Sequence, residues 1–263
     1  MLKFARKKIE QSKLYNHPFP YFVVNNLIPK KELDKINKIL PSFNEVTEKD
    51  IYFQSASKTK KTLLPSSKRY KTLNKNKNFK NINSIFKKLK PTIISKFRKS
   101  IKENVAKKFQ NANFSYHSTY SVMRNGYVKS AHIDRRDHLL HILFYPCSDS
   151  SKGGNIQIMK LKDKKKSNCF DIFPSKKDLK ISKSFKVKNN FCLFTLNVPW
   201  SYHSVSKYKG KKDRKFFYSV YDFPSKSTGK KLKNRKKGNN QNEFWKSKVS
   251  VMSIKRKKNF FAE

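Results

Sequence analysis

The chain has 263 residues, of which 36% are hydrophobic and 14% aromatic, and its 63 basic and 17 acidic residues leave a net charge of +46. That length suits one domain of the larger all-β or α+β kind with a tail, and the core must lean on Phe and Tyr, each of which removes a large apolar area from water. A membrane span is excluded, because no run approaches about 18 consecutive apolar residues, and the start of the chain lacks the apolar stretch of a secretory leader.

The charge raises two readings. A polyanion such as nucleic acid could be a partner through nonspecific, salt-sensitive contact, or the lysines are a compositional feature of the surface. The distribution is broad: residues 225–263 carry thirteen Lys/Arg against two Glu, a net +11, so +35 lies in the first 224 residues. Cys147, Cys169 and Cys192 are an odd number without metal-knuckle spacing, which reads as reduced thiols and a cytoplasmic protein.

In chain order, residues 1–16 are a basic lead-in, either a short helix or a frayed end. Pro18 and Pro20 open a β-like run at Tyr21–Val24, and Leu33, Ile36, Ile39 and Leu40 fall at helical spacing after Pro29. Residues 44–78 read as a long polar connection with one or two short strands. Helical periodicity returns over 81–109, where Pro91 predicts a break or kink. From about residue 113 the period turns toward two, with strands predicted at 114–123, 139–146, 155–160, 182–188, 191–197, 203–207 and 215–223. Short strands separated by turn signals suggest a sandwich or barrel. Residues 161–181 are an insertion with a lysine run, either a solvated loop or a lid, and 225–263 form a basic tail carrying Phe244, Trp245, Phe260 and Phe261.

The chemistry gathers at His132 and Asp134. On a strand, residues i and i+2 share a face, so both side chains could reach one ion. Among six histidines, only His203 lies beyond His141, and it opens a β-like segment after Pro199-Trp200. Two imidazoles and a carboxylate make the facial donor set of non-haem Fe(II) sites. His138 and His141 read as pocket or core residues, Asp137 as a salt-bridge partner of Arg135 or Arg136, and His17 and His117 carry no signal.

The flanks of this triad resemble the prolyl 4-hydroxylase-like 2-oxoglutarate/Fe(II) oxygenases. Gly126 stands six residues before His132, Leu139 to Pro146 is similar to the strand after the family's His-x-Asp, Gly153-Gly154 to its Gly-Gly segment, and Asn189 to Thr195 to the strand before its distal histidine. His203-Ser-Val matches its His-x-Val, and Pro18 to Ile28 is like the opening of many members. The resemblance covers about residues 17–224, with helical support over 30–110 and a β core over 113–224. It implies an α+β fold with N-terminal helices packed on a double-stranded β-helix, or jelly roll.

The resemblance also implies Fe(II), 2-oxoglutarate and O2 as the working set, with hydroxylation of an unidentified small-molecule or peptide substrate: peptidyl or free proline by analogy, or a glycan-like molecule. His132, Asp134 and His203 would hold the metal. A cation must meet the far carboxylate of 2-oxoglutarate, and the planar fork of Arg suits a carboxylate best; Arg214 is the preferred candidate and Lys215 the rival, since strand alternation turns only one inward. Tyr145 would hydrogen-bond the cosubstrate if His141, Leu143 and Tyr145 face the pocket. Met123 departs from the family's tyrosine at that position, which removes one expected cosubstrate hydrogen bond. A base-repair demethylase is disfavoured because Val220 stands where such enzymes carry a second arginine. The competing class is a non-enzymatic basic fold that binds a polyanion.

Overall fold

The computed structural model describes residues 1–52, 57–148, 153–162, 174–224 and 244–246. The Lys-rich part of the predicted lid (163–173), Cys169, Phe260 and Phe261 lie outside the described residues.

Among the described residues ten strands form two antiparallel sheets. In chain order they are β1 (Tyr21–Asn25), β2 (Lys60–Thr62), β3 (Ser115–Met123), β4 (Lys129–His132), β5 (His138–Cys147), β6 (Ile156–Leu161), β7 (Leu179–Phe185), β8 (Phe191–Leu196), β9 (His203–Val205) and β10 (Arg214–Asp222). The large sheet runs β1-β8-β5-β10-β3-β2 and the small one β4-β9-β6-β7. The two form a jelly roll with helices packed on it, as the family resemblance implies.

Strand alternation splits β10 into two faces. Phe217 packs on Phe79 of the helical layer, with ring centroids 5.6 Å apart, and Tyr221 donates to the Phe86 carbonyl. Arg214, Phe216 and Tyr218 face the other way, into the space between the sheets, where Phe216 stacks on Tyr145 and Tyr218 meets His141 at a tilt, with centroids 5.7 Å apart. Aromatic residues thus fill both sides of the central strand, each contributing about 1.5–3 kcal/mol when fully buried.

The helical layer is α1 (Leu2–Gln11), α2 (Lys30–Asn37), α3 (Lys68–Lys75), α4 (Lys77–Asn83) and α5 (Ile85–Asn104). Phe22 of β1 sits between Phe194 of β8 and Phe97 of α5, at 4.3 and 5.3 Å. The lead-in is helical: α1 buries Ala5 and Ile9, and Lys96 of α5 donates to the Glu10 carbonyl.

Several local expectations are corrected. Pro91 lies inside α5 and does not break it; the interruption comes at Ser84, between α4 and α5. The connection over 44–78 contains α3, capped by the Ser67 hydroxyl accepting from the Tyr70 amide. The strand expected at 182–188 is β7, three residues earlier. The tail also returns to the body at one point: Phe244 stacks on Phe223 at 4.4 Å, and the Trp245 indole donates to the Arg136 carbonyl at 2.9 Å.

Candidate metal centre

β4 ends at His132 and β9 begins at His203, and these two residues are direct partners in the β4–β9 pairing. Their rings come to 4.3 Å between centroids. Asp134 lies two residues past the end of β4, so its approach comes from the turn after the strand and not from strand alternation, as the spacing had suggested. His132, Asp134 and His203 each offer one ligand atom, all within 4.8 Å of one another.

Both rings are oriented in the same way. His132 Nδ1 lies 2.9 Å from the Ser130 carbonyl and His203 Nδ1 lies 3.0 Å from the Ser201 carbonyl. A carbonyl only accepts, so each Nδ1 carries the proton and each Nε2 presents a lone pair. Those two Nε2 atoms stand 3.4 Å from Asp134 Oδ1 and 3.5 Å from Oδ2. Without metal, a proton on either ring can bridge to the carboxylate; with both rings neutral their lone pairs and the carboxylate repel unless a metal cation sits among them, and two imidazoles with one carboxylate are the donor set that suits Fe(II) with positions left open. The residues therefore fit a divalent metal of that class.

Asp134 is held from behind. His141 Nδ1 lies 2.6 Å from Oδ2, and the Tyr218 hydroxyl donates to the same oxygen at 3.4 Å. Burial alone would push this carboxyl up; the charge of His141 and the contacts of His132, His141 and His203 outweigh it and hold it well below the ordinary value. Burial, reinforced by the charge of His132, pushes His203 down to about 4, which keeps it neutral and able to ligate in mild acid.

The second part of the pocket centres on Arg214, the first residue of β10 and fully buried. Its guanidinium donates to the carbonyls of Gly154 and, at 3.2 Å, Gly153. It lies 4.3 Å from the Tyr208 ring centroid and 5.9 Å from that of Tyr145. Gly154 is required here. Its φ is +65°, and a Cβ on it would stand 2.3 Å from Arg214 Nη1. Lys215 points to the opposite face, where its ammonium donates to the Leu40 carbonyl at 2.5 Å.

Tyr145 is buried beside Phe216, and burial, against the pull of Arg214, pushes its phenol up to about 12. Among the described residues its hydroxyl has no hydrogen-bond partner. The same holds for Tyr127, which is buried and whose phenol is pushed up by burial and then by the charges of Tyr145 and Asp134. Sequence reasoning missed Tyr127, although it adjoins Gly126. It also missed Tyr218, which shares the inward parity of Arg214, and Lys60 of β2. His117, given no role in the sequence, pairs with Asp222 at 2.9 Å, and Asp222 in turn holds His138. Asp137 does pair with Arg135. Cys147 and Cys192 are free thiols.

No family model matches this chain, and no curated protein matches it in sequence. Solved structures do match. A prolyl-4-hydroxylase of Pseudomonas putida superimposes with a TM-score of 0.50 at 9% identity, covering 84% of this chain and 98% of that one. The chain has a prolyl-4-hydroxylase fold. A prolyl hydroxylase of Trichoplax adhaerens gives a TM-score of 0.45 at 10% identity, covering 84% of this chain and 88% of that one. The viral collagen prolyl hydroxylase of Paramecium Bursaria Chlorella virus-1 gives 0.41 at 9%, covering 78% and 96%. Among the described residues no helix is long and apolar enough to cross a membrane.

Proposed function

We propose that this chain is a non-haem Fe(II) and 2-oxoglutarate-dependent dioxygenase that hydroxylates a small molecule or peptide. One observation carries the reading: two imidazoles with their Nδ1 atoms tied to backbone carbonyls turn their Nε2 lone pairs onto one carboxylate. The fold supports it but does not choose the reaction, since one fold hosts many activities.

His132, Asp134 and His203 would hold the metal, and Arg214 would anchor the far carboxylate of 2-oxoglutarate. When bound, Fe(II) and 2-oxoglutarate supply the oxidant, consuming O2 and releasing succinate and CO2. The chain's own residues do the positioning. The Ser130 and Ser201 carbonyls fix both imidazoles in the ligating tautomer. His141 and Tyr218 hold Asp134 Oδ2, which limits how the carboxylate can turn. The Gly153 and Gly154 carbonyls aim the Arg214 fork, whose plane matches a carboxylate. Tyr145 and Tyr127, both buried, would donate their hydroxyls to the cosubstrate. Phe216, stacked on Tyr145, and Tyr208, against the Arg214 guanidinium, would keep water from these charges.

The test is direct. Purified protein should bind Fe(II) or Mn(II) at one site, and addition of 2-oxoglutarate under air should produce succinate. His132→Ala should abolish both metal binding and succinate formation. Protein that neither binds metal nor makes succinate, with His132→Ala indistinguishable from it, ends the oxygenase reading.

A further inference from the structure

Lys60 is the one residue of β2 with a charged side chain on the pocket side of the large sheet. Alternation sets this: Thr62, two residues on, bonds the Ser121 hydroxyl at 2.7 Å, while Lys61 turns to the other side and donates to the carbonyls of Phe43 and Val46. The Lys60 ammonium stands 5.6 Å from the Phe216 ring centroid, and Phe216 is the residue that stacks on Tyr145. Among the described residues it has no hydrogen bond and no ion pair. It is close enough to Lys129 and Asp134 to feel both: burial and the charge of Lys129 push it down to about 8, while Asp134 pulls the other way. Lys129 opens β4, the strand that ends at His132, and is exposed.

By register Lys60 lies level with Arg214 on the inner face of the large sheet, and Lys129 is opposite Val205 on the face of the small sheet that His203 shares; two like charges turned toward one space are costly to keep, and an anion placed between them removes that cost. Arg214 already serves the deep end of the pocket, so a further cation pair at its mouth has another ligand to meet. We propose that Lys60 and Lys129 form an anion subsite, and that the substrate carries a carboxylate or phosphate near the carbon it presents to the metal. The proposal rests on the oxygenase reading for the word substrate; the anion subsite itself does not need it.

The experiment uses the full chain loaded with Mn(II), a redox-inactive stand-in for Fe(II), and saturating 2-oxoglutarate. It is titrated calorimetrically with inorganic phosphate and with N-acetyl amino acids as free acids, as matched carboxamides and as phosphomonoesters of the hydroxylated members. The anionic members should bind at millimolar concentration or below and their amides should not; carboxylates and phosphomonoesters then show which anion is preferred. Lys60→Met should weaken the anionic members about tenfold or more, the loss expected when a charge-assisted hydrogen bond is removed. Lys61→Met, on the opposite face, should leave them unchanged, and Lys60→Met should retain Mn(II) and 2-oxoglutarate affinity. The proposal is overturned if amides bind as well as acids, if no anionic probe binds, if Lys60→Met leaves the discrimination intact, or if Lys60→Met removes 2-oxoglutarate instead. Should the wild type take up neither Mn(II) nor 2-oxoglutarate, the oxygenase reading fails, while phosphate binding and its loss in Lys60→Met still report on the lysine pair.

Discussion

His141 grips Asp134 with Nδ1 2.6 Å from Oδ2, the oxygen that His203 Nε2 approaches at 3.5 Å. Asp134 stands beyond the end of β4, so no strand ladder fixes it, and this contact supplies the missing constraint. Replacing a partner that orients a ligand costs about 10–100-fold in metal affinity. His141→Leu should therefore weaken Mn(II) binding by that factor while the protein stays folded. Equal affinity in a Mn(II) titration would reduce His141 to a packing residue.

Arg214→Lys keeps the charge but loses the planar fork that two glycine carbonyls hold in place. Cosubstrate affinity should drop about tenfold or more, the scale of a lost charge-assisted hydrogen bond. Mn(II) affinity should not change, since the triad is untouched. Parallel titrations with metal and with 2-oxoglutarate separate the two effects.

Gly154→Ala places a methyl group against the Arg214 guanidinium and asks an L-residue to hold φ at +65°. Overpacking of this kind costs about 1–3 kcal/mol. The variant should melt at a lower temperature and bind 2-oxoglutarate more weakly than the wild type. A melt and a cosubstrate titration that both match the wild type would mean that Arg214 can move aside freely.

Acid should destabilise the metal-free protein in a defined window. His203 is pushed from its ordinary 6.5 down to about 4. Between those values the unfolded chain binds the proton and the folded chain does not, so stability falls as pH drops through the window. Asp134 and Asp222 are held below their ordinary 3.8, and their contribution is present above that value and lost below it. Urea unfolding of metal-free protein across the window should show the slope, and His203→Gln should flatten its upper part.

Trp245 is buried against Phe223 and donates to the Arg136 carbonyl, two residues past Asp134. Trp245→Ala should lower the unfolding free energy by about 3–5 kcal/mol, the usual cost of emptying a buried aromatic site. Urea denaturation measures it. An unchanged midpoint would show that the docked segment adds nothing to the fold.

The sequence by itself determined most of the strands, the helical layer around Leu33 and Phe97, and the order in which His132, Asp134, Gly153, Gly154, His203 and Arg214 appear. Periodicity and spacing are local properties, and they survive without knowledge of neighbours. Pro91 misled because a helix packed along its whole length can absorb one lost hydrogen bond that an isolated helix could not. Which of Arg214 and Lys215 turns inward needed the parity of β10 within its sheet, seen in the contact of one with Tyr208 and of the other with Leu40. Tyr127, Tyr218 and Lys60 were illegible for a further reason. Each reaches the pocket from a different part of the chain, and only the closing of two sheets on one another brings them to the His132–Asp134–His203 cluster. Both imidazole tautomers rest on carbonyls only two residues upstream, but the backbone direction that turns those carbonyls onto the rings is one that no side-chain pattern records.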